Sequence, residues 1–151
     1  MAVPEVSGWS EGKPFLSWGL KDDRVCLIMY RHPENQRVAA RVWFGPGSRG
    51  GPGQVHGGAI SAVLDQLLGF SAWNTGMPCV TARLAVDFRG RIELGVAAWV
   101  EAWVERTEER KVITRGSLIN DEGKLLAEAE GLFILVKKEY FQGAAEGFPM
   151  P

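Results

Sequence analysis

The chain has 151 residues, 46% of them hydrophobic and 23% charged, with a formal net charge of −1. That length suits one domain burying roughly 70% of the surface its unfolded chain exposes, so no disulfide or metal staple is required. The near-neutral charge gives no electrostatic reason to expect nucleic acid or an anionic membrane as partner, and no apolar run reaches the ~18 residues of a membrane span.

The opening "MAVPEVSGWSEGKP" lacks the basic start and apolar run of a secretory signal. Residues 1–22, broken by Gly and Pro, read as an irregular arm whose Trp9, Phe15 and Trp18 lie on the body of the protein. "RVCLIMYR" (24–31) and "QRVAARVWF" (36–44) read as strands joined by the turn cluster "HPEN". Cys26 and Cys79 each fall in an apolar strand-like run without C-x-x-C spacing, which predicts two reduced, buried thiols in a cytoplasmic protein.

"GPGSRGGPGQ" (45–54) is too rich in Gly and Pro for regular structure. Its first six residues match G-x-G-x-x-G, but no helix begins there and the downstream sheet reads as antiparallel, so dinucleotide binding is not expected. No P-loop and no G-x-S-x-G follows. Two histidines, His32 and His56, without a cysteine cluster give no metal site, and no cofactor is expected.

Residues 57–74 form the strong helix candidate, stopped by "TGMP" (75–78). Its only polar side chains before Asn74 are Ser61, Asp65, Gln66 and Ser71. Apolar residues on almost every side predict a helix surrounded by protein. Everything later reads as strand: 79–88, 96–106, 111–120 and 124–138, the last pair joined by a hairpin at "NDEG" (120–123). Residues 139–151 read as a loose tail. The prediction is one α+β domain over 1–151, with an antiparallel sheet wrapped around one long helix. Strand 96–106 has small apolar residues on one face, and Trp99 and Trp103 among glutamates on the other. Those tryptophans are expected to lie under the N-terminal arm or at a subunit interface.

Asp65 needs an explanation. A carboxylate in an apolar helix must be hydrogen-bonded, paired or shifted in pKa, either as a structural group or as a functional one. His56-Gly57-Gly58 stands where the helix begins, so backbone N–H groups there lack intrahelical partners. Without a Cβ, the glycines let a ligand oxygen approach, and such a terminus stabilises an oxyanion. The plainer reading is a tight turn with a capping histidine.

Gly57 and Asp65 are eight residues apart, about 12 Å along a helix. One helix therefore cannot bring both to one carbonyl, whereas two antiparallel helices from two subunits can. If both groups are catalytic, the protein is a dimer with shared sites. Arg89 and Arg91, at the end of strand 79–88, could meet phosphates or be solvated loop charges.

The stretch "VHGGAISAVLDQLLG" followed by "CVTARLAVDF" and a long strand hairpin resembles the hotdog-fold thioesterase superfamily. It is most similar to its phenylacetate-type acyl-CoA thioesterases and their long-chain relatives. The resemblance covers roughly residues 36–137, and "GPGQVHGGA" is similar to the long-chain signature G-P-x-G-x-x-H-G-G-A. It implies a hotdog fold and hydrolysis of an acyl-CoA to free acid and CoA by a homodimer or dimer of dimers. Asp65 would be general base or nucleophile, and the Gly57 N–H would polarise the thioester carbonyl beside Gly58. His56 would support that loop or the carbonyl, and Thr81 would position water or the carboxylate. CoA phosphates would lie near Arg89 or Arg91. The phenylacetate-type branch often carries Asn six residues before the His, where this chain has Gly50; that favours the long-chain-like branch. Two other readings remain open on the same fold: a non-catalytic acyl-CoA sensor or carrier, and an enoyl-CoA hydratase.

Overall fold

Alternation in residues 97–108 sets the architecture. Ala98, Val100 and Ala102 are buried on one face, small enough for a helix to lie close against them. The computed structural model describes residues 10–12, 24–35, 37–76 and 78–141. Its elements are β1 (Ser10–Gly12), β2 (Val25–Arg31), β3 (Val38–Phe44), α1 (Gly57–Trp73), β4 (Cys79–Phe88), β5 (Ala97–Glu108), β6 (Lys111–Ile119) and β7 (Leu125–Leu135). Six antiparallel pairings join the strands into one sheet of order β1-β2-β3-β5-β6-β7-β4. Helix α1 packs on β3 to β7, the expected sheet around one long helix. Among the described residues no helix is long and apolar enough to cross a membrane.

Leu64, Leu67 and Leu68 are fully buried on the sheet side of α1, each worth about 1.5–3 kcal/mol relative to exposure. Leu68 sits over two glycines of neighbouring strands. A Cβ on Gly116 would lie 3.2 Å from its Cδ2, and one on Gly131 would lie 3.3 Å from its Cδ1 and 2.8 Å from Thr114 Oγ1. These glycines let the helix approach closely.

The far side of α1 differs from expectation. Gly58, Ala62 and Trp73 are exposed, and Asp65, Gln66, Gly69 and Phe70 are half-buried. The sheet covers one flank of α1, so the apolar residues of the other flank have no full cover among the described residues.

Several predicted boundaries also shift. The arm supplies strand β1, paired with β2 through Ser10 and Arg31, while Trp9, Phe15 and Trp18 lie outside the described residues. The tail starts with a 3-10 turn, Lys138–Phe141, and another such turn, Pro46–Ser48, interrupts the glycine-rich loop. The hairpin at 120–123 forms as predicted: Asn120 Oδ1 accepts from the N–H groups of Glu122 and Lys124, and Gly123 takes φ 79°. Cys79 is buried but Cys26 only half-buried, and neither forms a disulfide among the described residues.

The two tryptophans on the outer face of β5 are partly covered by side chains of β2, β3 and the turn before β3. Tyr30 packs on Trp99 at 6.2 Å between ring centres. The Arg41 guanidinium stands 5.2 Å from the Trp99 ring, and that of Arg37 stands 4.7 Å from Trp103. Cation–aromatic stacking of this kind is worth about 0.5–1 kcal/mol at exposed sites.

Candidate active site

The site begins at the first turn of α1. His56 has extended backbone angles, φ −65° and ψ 134°, and caps the helix: its Nδ1 accepts from the Gly58 N–H at 2.8 Å. With Nδ1 as acceptor, Nε2 is the ring nitrogen left to donate. The His56 carbonyl accepts from the N–H groups of Ala59 and Ile60. The Gly57 N–H alone in this turn has no acceptor among the described residues. It carries the positive end of a 17-residue helix. Gly58 therefore keeps the cap in place instead of offering its own N–H. A Cβ there would stand 2.9 Å from His56 Nδ1.

The loop before the helix is equally tight. A Cβ on Gly50 would lie 2.8 Å from the His56 Cα, so an asparagine could occupy this position only if the loop shifted. Gly50, His56, Gly57, Phe88 and Arg91 line a groove of about 370 Å³ at the helix terminus. The half-exposed Phe88 ring rests on Gly57, where a Cβ would meet its Cζ at 3.3 Å. Arg91 reaches this groove and donates to the Pro52 carbonyl at 3.4 Å. Arg89 turns to the outer face and ion-pairs with Glu128 at 2.7 Å and Asp87 at 3.5 Å. The hydrogen bonds it donates to Glu128 raise its already high pKa. The structure thus brings Arg91 to Gly57 and His56 but leaves Arg89 apart.

Asp65 lies two turns further along α1, half-buried. Thr81 Oγ1 donates to its Oδ1 at 3.0 Å, and among the described residues Asp65 makes no ion pair. A β-bulge makes this bond possible. Thr81 pairs with Phe133 and Arg83 with Leu132, so Ala82 is an extra residue that resets the phase of β4. Cys79 and Thr81 before the bulge, and Leu84 after it, all face the helix. In a strand without the bulge, strict alternation would set Thr81 on the face opposite Leu84.

Asp65 and Thr81 stand at a second groove, of about 450 Å³, which runs along the C-terminal half of α1. Its walls are Gly69, Phe70 and Trp73 of the helix, Cys79 of β4 and Phe133 of β7. Burial pushes the Cys79 thiol up to about 11. Among the described residues no group of three His, Cys, Asp or Glu side chains could hold a metal ion.

The walls formed by Trp73, Cys79 and Phe133 were not assigned from sequence. Nor was Phe88, which stands exposed at the end of edge strand β4. Arg49 was also missed. It lines a separate hollow on the other flank of His56, and only its place within the glycine-rich loop hinted at this.

The sequence pattern of the thioesterase superfamily matches residues 52–127. The chain is 34% identical over 107 residues to the acyl-coenzyme A thioesterase THEM4 of Xenopus laevis, covering 70% of this chain and 48% of that protein. It spans about half the length of the curated relatives it matches. A phenylacetic acid degradation-related protein of Ralstonia eutropha superposes with TM-score 0.62 at 26% identity, covering 68% of this chain and 78% of that one. A Streptococcus mutans protein solved bound to acetyl CoA superposes with TM-score 0.65 at 20% identity, covering 68% and 82%. The sheet wrapped on its long helix is the hotdog fold.

Proposed function

This chain belongs to the thioesterase superfamily, and from that premise we propose that it hydrolyses an acyl-CoA thioester at a site shared by two protomers. The observation that carries this reading is the Asp65 carboxylate, oriented by Thr81 at the mouth of an apolar groove. A thioester carbonyl is electrophilic enough for an oriented base and an oxyanion donor to suffice. The names of the relatives, among them THEM4, support the same substrate class.

Thr81 gives its only hydroxyl proton to Asp65 Oδ1, so its lone pairs are free to accept from water. A water held by Thr81 and the second Asp65 oxygen loses a proton to the carboxylate as its oxygen attacks the carbonyl carbon. The partner's Gly57 N–H receives the negative charge that develops on the carbonyl oxygen. Collapse of the adduct breaks the C–S bond, and the departing CoA sulfur takes up the proton. His56 keeps the amide aimed by closing the helix cap. Arg91, at the rim of the same groove, suits the CoA phosphates better than the carboxylate-paired Arg89.

The dimer follows from the sheet. β4 is an edge strand with ten residues, and its free backbone groups invite pairing with a second β4. Antiparallel pairing there sets the uncovered flanks of two α1 helices against each other, the N-terminus of each beside Asp65 of the other. Free-thiol release across acyl-CoAs of graded length, wild type against Asp65→Ala, tests the proposal. The variant is expected to fold and dimerise while losing about 10²–10⁴-fold in rate. Unimpaired turnover overturns the assignment.

A further inference from the structure

The Asp65 groove is lined at the C-terminal end of α1 by Trp73, a half-exposed residue that belongs to neither the carboxylate nor the oxyanion machinery. Trp73 is the last residue of α1. Its indole crosses from the helix to the start of β4, where Nε1 donates to the Cys79 carbonyl at 3.1 Å. Phe141, from the 3-10 turn after β7, also packs on the ring at 6.0 Å between centres and 46° between planes. Tyr140 in turn meets Phe141 edge-on at 5.1 Å. A hydrogen bond and a tilted aromatic neighbour thus hold this large side chain in the groove wall beside Cys79. Gly69, halfway between Asp65 and Trp73, leaves the space in front of it open: a Cβ there would stand 3.4 Å from Phe133 Cε1.

We propose that Trp73 is the specificity-determining end wall of the acyl site, limiting the acyl group to medium length; this rests on the thioesterase reading. Asp65 and Trp73 are eight residues apart, about 12 Å along the helix. An extended chain of single bonds advances about 1.2 Å per bond, as in a backbone spanning about 3.5 Å per three-bond residue. A thioester carbonyl held at Asp65 therefore leaves room for about ten carbons before the indole. Longer chains must displace Trp73 and break its bond to Cys79.

The test measures kcat/KM for hexanoyl-, octanoyl-, decanoyl-, dodecanoyl- and hexadecanoyl-CoA with wild type, Trp73→Ala and Phe141→Ala. Each result is read as the ratio of hexadecanoyl to octanoyl within one protein, so a general loss of activity cancels. Wild type is expected to fall at least about tenfold beyond ten to twelve carbons, since one methylene too many in an apolar pocket costs about that much. Trp73→Ala is expected to raise the ratio about tenfold, and Phe141→Ala, which leaves the indole but unbraces it, by less. Should Trp73→Ala not fold, Phe141→Ala decides. Calorimetric binding of the same series to Asp65→Ala, with and without the second substitution, supplies a readout independent of turnover. A length limit that moves in binding without hydrolysis by wild type upholds the end wall and overturns the thioesterase reading. Hydrolysis with a ratio unchanged by either variant overturns the end wall alone. Failure to bind or hydrolyse any member overturns both.

Discussion

The N-terminal half of α1 offers glycines, a histidine cap and a free backbone amide, whereas its C-terminal half offers a carboxylate over an apolar groove. Backbone geometry builds the first half. Gly50, Gly57 and Gly58 lack side chains because His56 and Phe88 occupy the space, and the proposed oxyanion donor is an N–H that no mutation except to proline removes. The second half depends on side chains brought from two strands, Thr81 and Cys79 on β4 and Phe133 on β7. Each half lines its own groove, and neither groove contains the other's reactive group. Within one protomer the two groups therefore stay apart, as the proposed arrangement shared between protomers requires.

The contrast can be broken most severely at the amide. Gly57→Pro deletes the free N–H at the first helical position, where proline is tolerated. His56 already has the extended angles that a residue before proline requires, and the nearest obstacle is the movable Phe88 ring. The expected result is a folded protein losing about 10²–10³-fold in kcat. Coexpressed with Asp65→Ala, it should yield mixed dimers that regain activity at the one site with both intact groups. Mixed dimers as inactive as their parents would remove the shared site.

A smaller break falls on the other half. Thr81→Val deletes the hydroxyl that orients Asp65 and keeps the β-branched shape the strand prefers. One hydrogen bond to a charged acceptor is worth about 1.5 kcal/mol, so kcat should fall about tenfold with the dimer unaffected. Steady-state kinetics beside a sedimentation profile would show whether the loss is confined to turnover.

The smallest effect concerns the groove wall. The Cys79 thiol, pushed up to about 11 by burial, stays protonated at pH 8–9 and should resist iodoacetamide while the half-buried Cys26 reacts. The same shift fixes the sign of an alkaline effect. Above the ordinary thiol pKa the unfolded chain releases its proton before the native one, so stability falls as pH rises from about 9 toward about 11. Cys79→Ala should flatten that limb in denaturant titrations, and equal labelling of both thiols at pH 8 would contradict the burial.

Much of this was readable along the chain because it is local. The capping histidine, the glycine pair and the isolated Asp65 announce themselves within ten residues, and helix α1 and the later strands follow from period and turn chemistry. The groove was not readable. Trp73, Cys79 and Phe133 are ordinary apolar residues in sequence, distinguished only by where the sheet's curl places them. Trp99 and Trp103 stood out as unexplained aromatics on a wet face. Their cover by Tyr30, Arg37 and Arg41 depends on the register between β2, β3 and β5, which no single strand encodes.

The amino-acid order alone determined the α+β class, the long helix, its capped start and the carboxylate near its middle, since each depends on neighbours a few positions away. Only the tertiary structure decided that Thr81 reaches Asp65. An extra residue at Ala82 shifts the phase of β4 by one place, and a bulge is specified by pairing with β7, not by the alternation of β4 itself. It decided likewise that the sheet leaves one flank of α1 open among the described residues, because a sheet curled about a helix covers only the side it faces.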